Sequence, residues 1–363
     1  MTWMIYGATG YTGKLIAEAA VQRGHKPVIA GRSEHKLKPL ADRLGLDYLV
    51  FGVNDNAEAI DGLRRVDDLE LVLHCAGPFI HTSAPMLEAC LHVGAHYLDI
   101  TGEISVFEHT FAQHDRAEAE GILLMSGVGF DIVPSDCLSR YVAEQKPNAT
   151  QLDVVIEALG GDSGGANITA GTMKSMVEMI PGGGRLRRGG QLVPYDLGAG
   201  ADRFTFPHGK RLTLPITWGD LSTAYRTTGI PNITTYMSFP PSQIKALQRF
   251  AYPLRMLLKN DMVRGWVCDQ IDQNIDGPSQ ETRDTARSHL YARATAPDGT
   301  YADAWLETKE GYAFTVDASL LCVEQVLDGN YSGAQTPAQA FGADFVLNID
   351  TTTRHDALDV TTA

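Results

Sequence analysis

The sequence predicts an α/β chain in two parts, a doubly wound parallel sheet followed by an α+β domain on a largely antiparallel sheet. Three observations carry this. Residues Ile5 to Gly13 read Ile-Tyr-Gly-Ala-Thr-Gly-Tyr-Thr-Gly, after an apolar run from Trp3 to Tyr6 and before a helical pattern from Lys14 to Gln22. Short apolar runs then alternate with amphipathic segments as far as Gln145, the pattern of βαβ units. From about Thr150 the texture changes to alternating segments that read as antiparallel strands.

The first strand feeds a turn in which Gly7, Gly10 and Gly13 recur every three residues. This is the Rossmann-like setting for a dinucleotide. The first glycine allows a sharp turn, the second lets backbone approach a pyrophosphate, and the third lets helix pack on strand. Free N–H groups and the positive end of the helix dipole then hold the anion. The cofactor site is therefore expected at Gly7, Thr9, Gly10, Tyr11, Thr12 and Gly13.

Further strands are expected at His25–Gly31, Tyr48–Val53, Leu69–Ala76, Ala95–Ile100 and Ile122–Ser126. Helices are expected at 56–65, 82–93 and 106–120 between them. Beyond, Leu152–Leu159 reads as a strand, 160–165 as a loop and Ala170–Ile180 as a short helix. Glycines and arginines crowd 182–190, the composition of a mobile loop. Strands follow at Arg203–Phe206, Arg211–Ile216, Ile233–Phe239, Ser288–Ala294 and Tyr301–Thr308. One or two helices fill 242–269, and another runs from Tyr312 to Leu327. At 363 residues the chain exceeds one comfortable core. We place a cofactor domain at 1–147, a substrate and dimerisation domain at 148–335, and a tail at 336–363 that packs back.

The second strand selects the cofactor. It ends in Gly31-Arg32-Ser33, with no acid to accept from the 2′-hydroxyl of NAD. Arg32, with Ser33 beside it and Lys36 one turn on, suits the 2′-phosphate of NADP. A cation is poorly placed at a helix start unless an anion sits there. NADP is the expected cofactor.

A net charge of −14 argues against nucleic acid and against unassisted binding to anionic membranes. Five scattered cysteines without a C-x-x-C pair point to free thiols in a reducing compartment and away from a zinc site. The first strand begins almost at Met1, and no apolar run reaches the length of a membrane span. A cytoplasmic protein is expected, acting on a small-molecule or carrier-bound substrate, with no metal and as a homodimer.

The chain resembles the saccharopine dehydrogenase-like family, in particular its branch of oxidoreductases that includes trans-acting enoyl reductases. The resemblance rests on the glycine turn, on Ala30-Gly-Arg-Ser33, and on Cys75-Ala-Gly-Pro-Phe79. It continues through Tyr97-Leu-Asp-Ile-Thr-Gly-Glu103 and Gly129-Phe-Asp-Ile-Val-Pro-Ser-Asp136. Islands at Gly171–Ser175, Thr228–Ile233 and Thr336–Gly342 extend it over most of the chain. What it implies is an NADP-dependent oxidoreductase fold, without implying saccharopine as the substrate.

Hydride transfer needs a substrate carbon beside the nicotinamide and a proton source. Ala76, Gly77, Pro78 and Phe79 follow the fourth strand, where a loop would pass along the cofactor; Phe79 walls the cofactor or packs on the next helix. Asp99, Thr101 and Glu103 follow the fifth strand, where an acid either transfers a proton or bonds the nicotinamide ribose, the alternative being that Thr101 or Glu103 caps a helix. Asp131, in the polar loop after the sixth strand, is the first choice for a catalytic acid, whereas Ser135 and Asp136 read as a helix start. Thr172 and Ser175 are one helical turn apart and either touch substrate or cap a helix. Arg185, Arg187 and Arg188 either grip a carboxylate or belong to a solvated loop. None of the 13 tyrosines has a lysine four residues on, so the tyrosine–lysine route of short-chain dehydrogenases is not expected. The histidines show no metal-ligand spacing; Gly94 interrupts the His92–His96 interval.

Two functions compete at this level. One is an NADPH-dependent reductase of a C=C (enoyl) or C=N bond. The other is a catalytically silent NADP(H)-binding sensor or scaffold, which would keep the glycine turn and Arg32 without a convergent polar site.

Overall fold

A computed structural model describes residues 1–158, 169–275 and 277–356. The chain divides into two compact units, one of residues 1–133 and 312–340, the other of 134–311 and 341–363.

The first unit is built on a parallel sheet. Its strands are β1 (Thr2–Tyr6), β2 (Val28–Gly31), β3 (Tyr48–Val50), β4 (Leu69–His74), β5 (His96–Asp99) and β6 (Leu123–Met125). A seventh, Gly333–Ala334, comes from the far end of the chain. The order is Gly333–Ala334, β6, β5, β4, β1, β2, β3, all parallel. The order reverses between β1 and β4, and ligands of such sheets bind beyond the strand ends at that point. Helices α1 (Tyr11–Gln22), α2 (Glu34–Leu44), α3 (Asn56–Leu63) and α4 (Phe79–Val93) connect the first strands, and α5 (Ile104–Phe111) and α6 (His114–Glu120) lead to β6. Trp3 to Tyr6 of β1 and Leu71 to Leu73 of β4 are buried, as expected for strands covered on both faces.

Helix Gly311–Asp328 lies almost wholly in this unit. Its Asp317 pairs with Arg23, the C-cap of α1, and Glu324 meets His25 at 3.1 Å. The compact units divide at 133 and 311, whereas the sequence places domain boundaries at 147 and 335. The physical reason is that a two-residue strand leaves no periodic signal, and a helix does not announce which sheet it covers. The single helix expected over 106–120 is two, α5 and α6.

The second unit holds a mixed sheet. It comprises α7 (Val133–Gln145), β7 (Gln151–Ala158), α8 (Ala170–Met179), β8 (Gly184–Arg188) and β9 (Gln191–Tyr195). These are followed by β10 (Asp202–Phe206), β11 (Gly209–Ile216), α9 (Asp220–Thr228) and β12 (Asn232–Ser238). Then come α10 (Pro241–Leu258), α11 (Asp261–Asn274), α12 (Gln280–Thr285), β13 (Arg287–Thr295) and β14 (Tyr301–Lys309). The main path runs β10, β11, β12, β7, β13, β14 and Thr353–His355. It is antiparallel except where β12 runs parallel to β7. Val155, Phe204, Phe206, Tyr291 and Trp305 form an aromatic core on it. The segment expected as a mobile loop over 182–190 is instead the β8–β9 hairpin. Its glycines supply the turn, where Gly189 and Gly190 have φ of 55° and 78°. The loop expected over 160–165 lies outside the described residues. Among the described residues no helix is long and apolar enough to cross a membrane.

Candidate cofactor and proton-transfer site

β1 delivers the chain into Gly7, whose φ of 84° turns it sharply. The Gly7 N–H donates to the Ala30 carbonyl at 2.8 Å, tying the turn to β2. A Cβ on Gly7 would lie 2.8 Å from the Ala76 nitrogen, and one on Gly13 would overlap the Gly7 carbonyl. Both glycines thus serve close backbone packing. Gly10 differs. It is the exposed N-cap of α1, and no side chain caps that helix. Its own Cβ would meet only the Gly7 carbonyl, at 3.3 Å. The positive end of α1 is left open to an anion. Thr9, Tyr11 and Thr12 surround it half-buried, and the Tyr11 ring meets Tyr312 edge-on at 5.3 Å.

At the end of β2, Arg32 and Lys36 are exposed, and their side chains make no hydrogen bond or ion pair among the described residues. Ser33 is the N-cap of α2 but makes no capping bond; its hydroxyl meets His35 Nδ1 at 2.9 Å. Two unpaired cations at a helix start are electrostatically costly in isolation and suited to a phosphate. Together with the open end of α1, these residues fit a dinucleotide carrying a 2′-phosphate.

The carboxyl edges of β4, β5 and β6 carry the acids. Asp99 is fully buried and accepts four hydrogen bonds. Its Oδ2 takes the Tyr97 and Ser126 hydroxyls, each at 2.8 Å, and its Oδ1 takes the N–H groups of Thr101 at 2.9 Å and Gly127 at 3.0 Å. Burial pushes its carboxyl up to about 6, against those four donors. With its lone pairs filled, Asp99 joins the ends of β5 and β6.

Glu103 is also buried, but its carboxylate crosses to α4, accepting from Phe79 N–H at 3.0 Å and Ile80 N–H at 2.6 Å. α4 starts from Pro78, which has no capping side chain, so Glu103 supplies the missing acceptor and a charge matched to the dipole. Glu103→Gln should keep one bond, lose the charge, and cost about 1 kcal/mol in denaturant unfolding at neutral pH. An unchanged midpoint would refute this capping role.

The Phe79 ring is buried edge-on against His74 at 5.4 Å, so it packs as a core residue. Ala76 and Pro78 are half-buried and Gly77 is exposed, leaving backbone accessible after β4. His74 escaped the sequence reading. It is fully buried at the end of β4, and burial pushes its imidazole down to about 3, so it is neutral. The Thr82 hydroxyl donates to the Ala76 carbonyl at 2.6 Å. His74 Nε2, 3.0 Å from Thr82 Oγ1, must therefore be the donor, which leaves Nδ1 as a buried acceptor without a partner among the described residues. A histidine inside the apolar run Leu69–Ala76 was the available signal.

Asp131 is different from the other acids. Its side chain is partly exposed and has no hydrogen-bond or ion-pair partner among the described residues. Burial pushes its carboxyl up to about 7. A Cβ on Gly102 would lie 2.8 Å from Asp131 Oδ2, so glycine there makes room for the carboxylate. Nearby, Phe130 N–H donates to the Thr315 hydroxyl at 3.0 Å, so helix Gly311–Asp328 holds the loop. Neither Gly102 nor Thr315 was identified from sequence.

The remaining expected residues belong to the second unit. The Thr172 N–H donates to Thr169 Oγ1 at 3.2 Å, which makes Thr169 the cap of α8 and places Thr172 in its first turn. Arg187 is buried, donates to the Leu221 and Gly190 carbonyls, and lies 4.4 Å over the Tyr225 ring. Arg188 donates to the Ile233 carbonyl at 3.1 Å and to Thr234 Oγ1 at 2.9 Å. Both are engaged in building the sheet. Asp136 Oδ1 accepts from the Thr227 hydroxyl at 2.6 Å. In the first unit, His96 accepts from Leu123 N–H at 2.8 Å, a structural role. His114, Asp115 and Glu118 come within 4.8 Å of one another on α6, but His114 Nδ1 already accepts from Ala334 N–H at 3.0 Å.

Residues 3–125 match the family model of the saccharopine dehydrogenase NADP binding domain. A mouse protein named saccharopine dehydrogenase-like oxidoreductase is 31% identical over 206 residues, which are 51% of this chain and 47% of that protein. A trans-acting enoyl reductase of Mycobacterium leprae is 32% identical over 153 residues, 39% of this chain and 36% of its own. The aligned part is thus less than half of each relative. Among solved structures, apo histidine-tagged saccharopine dehydrogenase (L-Glu forming) from Saccharomyces cerevisiae superimposes with a TM-score of 0.64 over 96% of both chains. At 11% identity that likeness is one of fold.

Proposed function

We propose, from a chain whose residues 3–125 match the saccharopine dehydrogenase NADP binding domain model, that this protein is an NADP(H)-dependent oxidoreductase reducing a C=C or C=N bond. The observation that carries the reading is the open N-terminus of α1 at Gly10, matched by the unpaired Arg32 and Lys36 at the end of β2. Gly10 and the first turn of α1 would hold the pyrophosphate, and Arg32, Ser33 and Lys36 the 2′-phosphate. Backbone from Ala76 to Pro78 would line the cofactor. When bound, NADPH supplies a hydride.

Asp131 supplies the complementary proton. A carboxyl titrating near neutrality, with no partner among the described residues, can hold a proton on its oxygen at pH 7 and release it to the substrate atom that does not receive hydride. Asp99 and Glu103 act as positioning residues, since their oxygens are engaged in fixing the strand ends and α4. The relatives named as enoyl reductases support the C=C version, and the saccharopine-named relatives the C=N version.

The test is NADPH consumption by the purified chain with a panel of 2-enoyl thioesters and a panel of imines formed from amines and 2-oxo acids. Substrate-dependent oxidation of NADPH with one panel is expected. Tight NADPH binding without turnover on either panel would move the protein to the silent sensor class.

A further inference from the structure

Of the eleven large hydrophobic side chains exposed among the described residues, seven gather on two consecutive helices of the second unit. Five large hydrophobic residues stand exposed on α10, and Met262 and Trp266 follow on the first turns of α11. α10 is anchored by buried Ile244 and Leu258, the latter packed with Val177 and Ile271. Arg255 adds a bond from Nε to the Pro181 carbonyl at 3.1 Å. Two stripes of α10 face water. Phe250, Leu254 and Leu257 recur at i, i+4 and i+7, one face of the helix. Lys245, Arg249, Tyr252, Met256 and the C-cap Lys259 recur at the same spacing on a second face, across the exposed Ala246 and Pro253, and all are exposed.

Charge identifies what covers this surface. From Pro241 to Lys259 the sequence holds four cations and no Asp or Glu, in a chain of net charge −14. The first two turns of α11 add one acid, Asp261, which pairs with Arg264 at 2.7 Å. In a two-fold dimer the same surface meets itself, so an acid-free cationic stripe would face its own copy. Tyr252 and Trp266, 71% and 63% exposed, are residues suited to a boundary that is wet on one side and apolar on the other. A cationic face beside an apolar face with exposed aromatics is the composition of a helix lying in a lipid interface. We propose that α10 and the first turns of α11 seat this protein peripherally on an anionic lipid surface. The composition of the whole chain argues against such binding; the local patch reverses the sign.

The test is flotation of the full chain with phosphatidylcholine vesicles, with and without phosphatidylserine. Co-flotation is expected only with phosphatidylserine, and it should weaken as salt is raised. The double variant K245E/R249E should lower partitioning at least about tenfold. The variant F250S/L254S should lower it by a similar factor through lost apolar insertion. Unchanged NADPH affinity in both variants shows that the fold is intact, and the cofactor reading stands or falls on that titration separately. No flotation, equal flotation on both vesicles, or flotation unaffected by the charge reversal would overturn the proposal. So would a wild-type dimer in sedimentation that F250S/L254S dissociates, since the surface would then belong to a second copy.

Discussion

Asp131→Asn should leave NADPH affinity within about twofold and lower the rate of reduction by roughly 10²- to 10⁴-fold, the usual worth of a positioned general acid. Asparagine keeps the size of the side chain and removes the transferable proton. The pH profile carries a sharper signature. The acid is competent while protonated, and burial places its titration at about 7. The wild-type rate of the chemical step should therefore be flat in mild acid and fall about tenfold per pH unit above 7. The residual rate of the variant should lack that limb. A variant that retained it would exclude Asp131 as the donor.

The same substitution should raise stability. An unfolded aspartate titrates near about 3.9, well below the folded value of about 7, so the folded chain favours the protonated form. That contribution is fully present below about pH 4 and is lost as pH rises through 7. Asparagine carries no charge to desolvate. At pH 8 the variant should unfold at higher denaturant concentration, by about 2 kcal/mol once partial exposure of the carboxylate is allowed for. At pH 4 the two proteins should coincide. Loss of rate with gain of stability separates a functional acid from a structural one.

Gly13→Val should remove measurable NADPH binding and destabilise the first unit by about 3 kcal/mol. A Cβ at position 13 would overlap the Gly7 carbonyl and press within 3.0 Å of the Ala8 Cα, both of them backbone atoms. The turn must open, and the bond from Gly7 N–H to Ala30 then weakens with it. Gly10→Ala is the informative contrast. Gly10 has φ of −73°, which any residue adopts, and its Cβ would meet only the Gly7 carbonyl at 3.3 Å. Stability should change by less than about 1 kcal/mol, while the methyl projects over the open end of α1 and lowers NADPH affinity roughly tenfold. Equal effects on stability from the two substitutions would mean that Gly10 also serves packing, leaving no dedicated phosphate approach.

What the sequence made legible follows the range of the forces involved. The six strands from β1 to β6 were readable because each is an apolar run bounded by turn residues, a local pattern. The sharp turn at Gly7 and the close packing at Gly13 were readable because a strand–turn–helix leaves few ways to accommodate such glycines. The seventh strand was not, since Gly333 and Ala334 are shaped by pairing with β6, more than two hundred residues away in sequence. The acids divide in the same way. That Asp99, Glu103 and Asp131 stand at strand ends was legible from spacing. Which of them has spare lone pairs was not. Asp99 is saturated by donors from two strands, Glu103 by the start of α4, and Asp131 by none among the described residues. Arg187 reads in sequence like a member of a solvated loop, yet it is buried under Tyr225 with its donors on carbonyls. Only tertiary structure makes that distinction.

On this proposal the first unit holds NADP(H) through the open end of α1 and the cations after β2. The most direct test is parallel titration of NADPH and NADH into wild type and Arg32→Ala, followed by cofactor fluorescence. Wild type should prefer NADPH by at least tenfold, and Arg32→Ala should weaken NADPH by about 10- to 100-fold, the worth of charge-assisted bonds to a phosphate, while leaving NADH unchanged. Equal affinity for the two cofactors in wild type, or an equal loss of both in the variant, would contradict the assignment.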